Sequence, residues 1–402
     1  MRRATAAPRV AAVGATKLVA SIGAFAGLAA RAAESEVDLR LLYYKESGGR
    51  TEVVNPEIYV RQGLGGTRGE LSFFLGYDAI TGASPSGAFP TLDATTSASA
   101  AGADSIPLVA YEDTRKAGTM AYSRRFGSHL PSVDLSLSQE NDYLSRGVGL
   151  SDAWTVAGGR GTIHFGLGGT SDVITPVTLD VRETKTSGSA ALGFTWVAGT
   201  RDLIDLSGSW TRLTGYLDDP YKVVPAGGLD VPEHRPDVRT RLAALVRHGH
   251  SFSWRGALKT SYRFYSDDWN VRAHTLELDY DQHVGRVILS AQARAYTQSA
   301  ASFYGASFPV PQEFMSADYR LSAFHSLLGG VGVTVPLSRI LSLRLEGTYQ
   351  VQQGLDRVMP LSTPTPLSPL DDDGGGETGA PRSVSAADLN TLTGTIGLSW
   401  RF

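Results

Sequence analysis

The sequence predicts an all-β protein, a transmembrane antiparallel up-and-down β-barrel of about sixteen strands, with fourteen to eighteen compatible with the soft strand boundaries. Segments of roughly 9 to 14 residues alternate apolar and polar side chains from Glu36 to the end of the chain. Tight turns between them alternate with longer connections, which is typical of short periplasmic turns and long extracellular loops. The chain ends on Phe402, on the apolar face of its last segment.

The last predicted strand, residues 388–402, shows this alternation most clearly. Its apolar face holds Leu392, Gly394, Ile396, Leu398, Trp400 and Phe402, and its other face holds Thr391, Thr393, Thr395, Gly397, Ser399 and Arg401. An aromatic belt residue followed by a terminal Phe resembles the last strand of bacterial outer-membrane barrels. The resemblance implies that Trp400 and Phe402 form an assembly signal, and that the barrel-assembly machinery is a partner.

Composition fits a membrane barrel and argues against other classes. Mean hydropathy is only -0.10, as expected when every second strand residue faces a polar interior. Cysteine is absent, which excludes a disulfide framework, a thiol nucleophile and a cysteine metal site. The net charge of -3 argues against nucleic-acid binding, and no pattern indicates a cofactor or a catalytic site.

Residues 1–32 are predicted to be a cleaved signal peptide. Arg2, Arg3 and Lys17 precede the apolar stretch 18–30, and Ala30-Arg31-Ala32 fits a cleavage site. A single membrane anchor is the alternative, but the stretch is short and rich in small residues. Residues 33–402 are then one barrel domain in the bacterial outer membrane, in contact with its lipid.

Two connections are expected to be long external loops, at residues 80–112 and 353–389. The first is rich in small residues and is the best candidate for a segment that folds into the lumen. Both chain ends are expected on the periplasmic side, because the strand number is even. A soluble β-sandwich could show the same alternation, but it explains neither the signal peptide nor the asymmetric loops.

The polar face of the strands is expected to line the lumen. Its charged residues are Arg239, Arg241, Arg247, Arg255, Lys259, Arg263, Glu277, Asp279, Asp281, Arg294, Arg344 and Glu346. The arginines and the lysine at 239–263 form a basic wall beside the acidic wall 277–281. Two interpretations are open: a transverse field that selects solutes, or cross-strand ion pairs that brace the wall.

Candidate residues for chemistry are few. His248 and His250 are expected in a turn without an adjacent carboxylate, where solvation is favoured over metal binding. Ser138 and Ser145 lie near Glu140 and Asp142, but no histidine follows at a spacing that indicates a nucleophile and its base.

Four segments resemble DUF3570, a bacterial family of unknown function predicted to lie in the outer membrane. They are residues 77–85 (YDAITGASP), 136–145 (SLSQENDYLS), 215–222 (GYLDDPYK), and 262–269 (YRFYSDDW) together with 274–278 (HTLEL). The resemblance implies location and fold but no activity. Because these segments concentrate at external strand ends, we expect a shared external rim that includes Glu140, Asp142 and Asp268.

The leading functional prediction is a channel or transporter for small polar or charged solutes. The alternative is a closed barrel that acts as a scaffold or receptor in a secretion or redox assembly. An outer-membrane hydrolase is the third possibility, and it would need a converging Ser–His pair.

Overall fold

The chain forms a closed barrel of sixteen antiparallel strands. The computed structural model describes residues 35–65, 69–85, 108–177, 179–355 and 385–402. The predicted signal peptide and most of the two predicted long loops, residues 86–107 and 356–384, lie outside the described residues. The predicted fold class and strand number are confirmed.

Nine barrel strands precede a small hairpin, and seven follow it. The first nine are β1 (Ser35–Glu46), β2 (Glu52–Leu64), β3 (Gly69–Pro85), β4 (Leu108–Arg124), β5 (His129–Gln139), β6 (Tyr143–Val156), β7 (Gly161–Ile174), β8 (Glu183–Val197) and β9 (Asp202–Gly215). The hairpin is β10 (Val223–Ala226) and β11 (Leu229–Pro232). The barrel resumes with β12 (Val238–Ser251), β13 (Gly256–Asp267), β14 (Arg272–Val284), β15 (Val287–Gln298), β16 (Phe324–Pro336), β17 (Leu341–Gly354) and β18 (Leu389–Arg401).

Each barrel strand pairs with its chain neighbour, and β1 pairs with β18 to close the cylinder. At this seam the Phe402 amide donates to the Ser35 carbonyl (2.9 Å), and the Arg401 guanidinium contacts the Glu36 carboxylate (2.7 Å). A closed sheet leaves no unpaired edge, which is what a spanning sheet requires in lipid. Among the described residues, no helix is long and apolar enough to cross a membrane.

The outer face of the barrel is apolar and exposed. Leu150, Leu167 and Leu192, on three successive strands, have exposed fractions of 58 %, 63 % and 64 %. Aromatic rings mark the end that carries the short turns: Trp154 stacks on His129, and Trp254 stacks on Phe252. An apolar band flanked by aromatic residues at the interface is typical of barrels that span a lipid bilayer. The protein is therefore an outer-membrane barrel.

The longer connections gather at the other end, which this arrangement identifies as the external one. Here we define the cap as residues 216–237, between β9 and β12, together with residues 299–323, between β15 and β16. The two segments pair through His234 and Met315, whose amides each donate to the other residue's carbonyl (3.0 and 2.8 Å). Their shared apolar core contains Val224, Ala226 and Met315.

Three predicted boundaries were wrong. Residues 80–85 and 108–112 belong to β3 and β4, not to a loop, because small residues still pair through their backbones there. The sequence pattern also predicts a strand over residues 317–335, but β16 begins only at Phe324. Residues 317–323 instead belong to the cap, where the Asp318 side chain accepts from the Arg320 amide at the start of a 3₁₀ turn, Tyr319–Leu321.

Candidate functional site

Strands β12 and β13 carry basic side chains on the lumen face. The register places Leu245 opposite Arg263 and Arg247 opposite Ser261, so Arg241, Arg247, Lys259 and Arg263 share this face. The other face of β12 carries Leu242 and Val246, both exposed toward lipid. The acidic residues Glu277, Asp279 and Asp281 face the lumen from the next strand, β14.

Arg255 is not part of this wall, and its predicted position was wrong. It lies in the connection 252–255 with a φ of 64°, one residue before β13 begins at Gly256. A left-handed backbone at this position makes the turn and interrupts the two-residue period. The apolar pattern of Phe252 and Trp254 imitates a strand, but these residues belong to the aromatic belt.

Several wall charges form ion pairs. The pairs are Arg239–Asp267 (2.6 Å), Lys259–Asp279 (2.7 Å), Arg294–Glu277 (2.6 Å) and Arg344–Glu346. Two of them join residues directly opposite on adjacent strands, Lys259 with Asp279 and Glu277 with Arg294. The bracing interpretation therefore applies to these residues.

Three lumen arginines of β12 and β13 remain without such a partner. Within the described part of the chain, no carboxylate oxygen lies within 4.0 Å of Arg241, Arg247 or Arg263, although this criterion finds the pairs above. The Nε atoms of Arg241 and Arg247 are buried and have no hydrogen-bond partner. This pair of strands therefore has an excess of positive charge facing the lumen.

The opposite half of the wall, from β5 to β9, is lined mostly by small side chains. One row across neighbouring strands runs Gly149, Gly168, Ser189 and Thr211. The adjacent row runs Ser151, Gly166, Ala191 and Ser209. These positions cannot project far into the lumen.

The cap has an ionic centre. Asp318 and Glu233 are almost fully buried, with side-chain exposures of 1 % and 0 %, and both contact the Arg235 guanidinium (3.0 and 2.6 Å). Arg320 contacts Asp318 (2.6 Å) and also Asp219 (2.8 Å). Buried charges are tolerated only when they are paired in this way.

The environment shifts the pKa values of these groups. Burial would raise the pKa of Asp318, but Arg320, Arg235 and Lys222 outweigh it and lower this pKa to about 2. Burial raises the pKa of Glu233 and lowers the pKa of Lys222. The opposite directions for two neighbouring carboxyl groups show that the surrounding cations act mainly on Asp318.

The cap contacts strand ends around the barrel. Lys222 Nζ donates to Ser84 Oγ on β3 (2.7 Å), and the Tyr319 ring lies 5.4 Å from the Arg50 guanidinium in the β1–β2 connection. The Tyr221 hydroxyl donates to Asp142 in the β5–β6 connection. A unit that contacts all of these elements lies across the external end of the barrel.

The predicted rim residues lie at this end. Glu140 and Asp142 occupy the β5–β6 connection, and Asp268 follows β13 and accepts from the Thr240 amide (2.9 Å). With Asp113, the first two bring carboxylate oxygens within 4.8 Å of one another, close enough to hold a cation. Burial raises the pKa of Glu140, and the neighbouring Asp113 adds to this shift.

His248 and His250 were wrongly predicted to lie in a turn. Both are on β12. Their ring nitrogens His248 Nε2 and His250 Nδ1 lie 3.0 and 2.7 Å from one carboxylate oxygen of Asp202 on β9. A long-range strand pairing supplies the carboxylate that is missing in the local sequence. The three ligand atoms lie within 4.8 Å of one another, a spacing that could hold a divalent transition metal.

The two serines considered as nucleophiles have other partners. Ser138 Oγ accepts from Arg115 Nε (2.9 Å), and Ser145 Oγ donates to Asp172 (2.7 Å). Among the described residues, neither serine contacts a histidine ring. The arrangement at this strand end is that of hydrogen-bonded lumen polar groups.

Solved structures that resemble this chain include outer-membrane proteins. The siderophore receptor PirA from Pseudomonas aeruginosa is 10% identical, with a TM-score of 0.45, and the match covers 91% of this chain and 62% of that chain. CdiB from Acinetobacter baumannii is 9% identical, with a TM-score of 0.48, covering 91% and 60%. A bacterial polysaccharide outer membrane secretin is 9% identical, with a TM-score of 0.46, covering 92% and 98%.

The chain thus spans less than two thirds of the length of PirA and of CdiB. No curated protein sequence matches it. One family model matches residues 9–181 and 178–357, which is most of the sequence, and its description is "Protein of unknown function (DUF3570)". The protein belongs to the DUF3570 family.

Proposed function

We propose that this barrel is an outer-membrane channel for small polar or charged solutes, with a preference for anions. The observation that carries the proposal is the group of three lumen arginines, Arg241, Arg247 and Arg263, without a carboxylate partner among the described residues. Unpaired guanidinium groups in a confined lumen create a positive potential that favours anions over cations.

The distribution of space along the wall supports the same function. Cavities of about 230 and 400 Å³ lie against the charged half, and Lys259, Asp279 and Asp281 line both of them. The second also contacts Arg247 and the connection 199–201 near the periplasmic end. A solute that moves past these cavities meets polar groups at each level and small side chains opposite.

The test is the conductance of the refolded protein in planar bilayers under a salt gradient. We expect ion current with a reversal potential that shows anion preference, and loss of that preference when Arg241, Arg247 and Arg263 are all changed to Gln. A matched control changes three arginines outside the lumen to Gln: Arg146, Arg212 and Arg286. Absence of current from a folded barrel contradicts the proposal, and so does an equal loss of preference in both variants.

A closed barrel that acts as a scaffold or receptor is the second candidate. The cap favours it, because a folded unit with its own core and ion pairs lies across the external end. The same conductance measurement separates the two functions, since a scaffold with a closed lumen carries no current.

A further inference from the structure

A cavity of about 420 Å³ lies between the cap and the charged half of the wall. Arg235, Asp318 and Arg320 contribute from the cap, and Arg239, Arg263 and Thr275 contribute from the lumen strands. Its volume lies within the range of cavities that bind small molecules. The cavity is built jointly by two cap segments and four barrel strands, β12 to β15.

The lining contains four arginines and a single acidic side chain, Asp318. Asp318 is bound by Arg235 and Arg320, and Arg239 is bound by Asp267 behind it. Arg263 has no carboxylate oxygen within 4.0 Å among the described residues, and it lines the cavity. The cavity therefore presents an uncompensated cation.

Further donors in and beside the cavity lack a partner. The Arg235 Nε atom is buried and makes no hydrogen bond, although the same guanidinium binds Glu233 and Asp318 through its NH2 nitrogen. Arg241 Nε, two residues along the lumen face from Arg239, is buried and unpartnered as well. Unsatisfied buried donors are costly and indicate a missing acceptor.

We propose that this cavity binds a small oxyanion of the carboxylate or phosphate class. Arg263 is its charged donor, and the Thr275 hydroxyl, directly opposite Arg263, is its neutral donor; the Arg235 guanidinium lines the same cavity. The planar guanidinium fork matches two adjacent oxygens of such an anion. The inference deepens the proposed channel function and rests on it for the route by which the anion arrives.

The experiment measures binding of inorganic phosphate and of succinate to the refolded protein in detergent by titration calorimetry. We expect saturable binding of at least one anion and none of glycerol. The two anions separate the phosphate class from the carboxylate class. Arg263→Gln is expected to weaken binding about tenfold or more, since it removes a charged two-point contact.

Arg247→Gln is the matched control. Arg247 is also an unpaired lumen arginine on these two strands, but it lines a different cavity, nearer the periplasmic end. Its substitution is expected to leave binding unchanged, while retained gel mobility of the folded barrel shows that both variants fold. Equal weakening by the two substitutions overturns the site, as does the absence of saturable binding.

Conductance of the same preparations separates this inference from the proposed function. Saturable binding in a barrel without current overturns the channel and supports the site. Current with anion preference but without saturable binding overturns the site and leaves the channel intact.

Discussion

The two halves of the lumen wall differ in the size and charge of their side chains. From β12 to β17 the lumen face carries arginine, lysine and carboxylate side chains, several of them paired across strands. From β5 to β9 the same face carries mostly glycine, serine, alanine and threonine. The lumen face of β12 to β17 is therefore charged, and that of β5 to β9 is lined mostly by short side chains.

The cap belongs to the charged half. Its two segments begin and end on β9, β12, β15 and β16, so they flank the charged strands β12 to β15. The buried cap pair Arg235–Asp318 lies next to the wall pair Arg239–Asp267 at the external strand ends, and residues of both line one cavity. The cap and the charged strands therefore lie on the same side of the barrel.

Acidification is expected to give the largest effect, through the cap. The pKa of Asp318, about 2, lies below the ordinary value of about 3.9. Ionised Asp318 therefore contributes its full stabilisation of the folded cap above about pH 4. This stabilisation is lost as the pH falls toward 2, a change on the order of 2 kcal/mol. Glu233, whose pKa is raised by burial, contributes in the opposite direction.

The loss of cap stability is measured by the rate of amide hydrogen exchange in residues 299–323, corrected for the intrinsic effect of pH. Exchange of β1 in the same samples is the control, and it should stay slow. Asp318→Asn is expected to loosen the cap already at pH 7 and to reduce its response to acid. Cap exchange that is unchanged down to pH 2.5 would contradict the assignment of Asp318 as the acid-sensitive group.

Bulk added to the small-residue half should narrow the passage. A side chain at Gly166 would point into the lumen, and its Cβ would meet only ordinary contacts, at 3.7 Å from the Leu150 carbonyl. Gly166→Trp is expected to roughly halve single-channel conductance, because a large side chain here projects into the lumen where only short side chains stand now. Gly329→Trp, on the lipid face with open space around it, is the control and should leave conductance unchanged.

Removing one member of a wall ion pair should shift selectivity in a predictable direction. Glu277→Gln leaves the Arg294 charge unpaired and should increase anion preference, whereas Arg294→Gln leaves the Glu277 charge unpaired and should reduce it. The reversal potential under a salt gradient measures both. Shifts of the same sign in the two variants would show that this pair lies off the ion path.

The smallest effect is expected for the stability of a solvated wall pair. Lys259 and Asp279 are 46 % and 23 % exposed in the lumen, so their coupling should be about 0.2 to 1 kcal/mol. A double-mutant cycle with Lys259→Gln and Asp279→Asn, followed by urea unfolding in lipid vesicles, gives this value. Coupling of several kcal/mol would mean that the lumen at this level excludes water.

The sequence was sufficient for the barrel because its strands obey a local rule. The period of two assigns a face to every strand residue, and the alternation of turns and loops fixes strand direction. The assignment failed at Arg255, where belt residues in a turn imitate that period. It also failed at the end of β3, where small residues leave no pattern, and at the start of β4.

The cap could not be predicted because its contacts join distant parts of the chain without a period. Arg235 meets Asp318 across 83 residues, and Lys222 reaches Ser84 across 138 residues. One signal was present: segments 215–222 and 262–269 resemble the family, and they contain Tyr221, Lys222 and Trp269, which lie in the cap or its core. A charged motif within a connection between barrel strands indicates a buried contact, but it does not identify the partner.

The seam between β1 and β18 has a consequence for how the barrel forms. Its hydrogen bonds join residue 35 to residue 402, so the cylinder cannot close before nearly the whole chain is in place. Until then the growing sheet has two open margins, each able to pair with a foreign strand. Closing the barrel therefore requires its most non-local pairing, which is the slow kind of step in β-sheet formation.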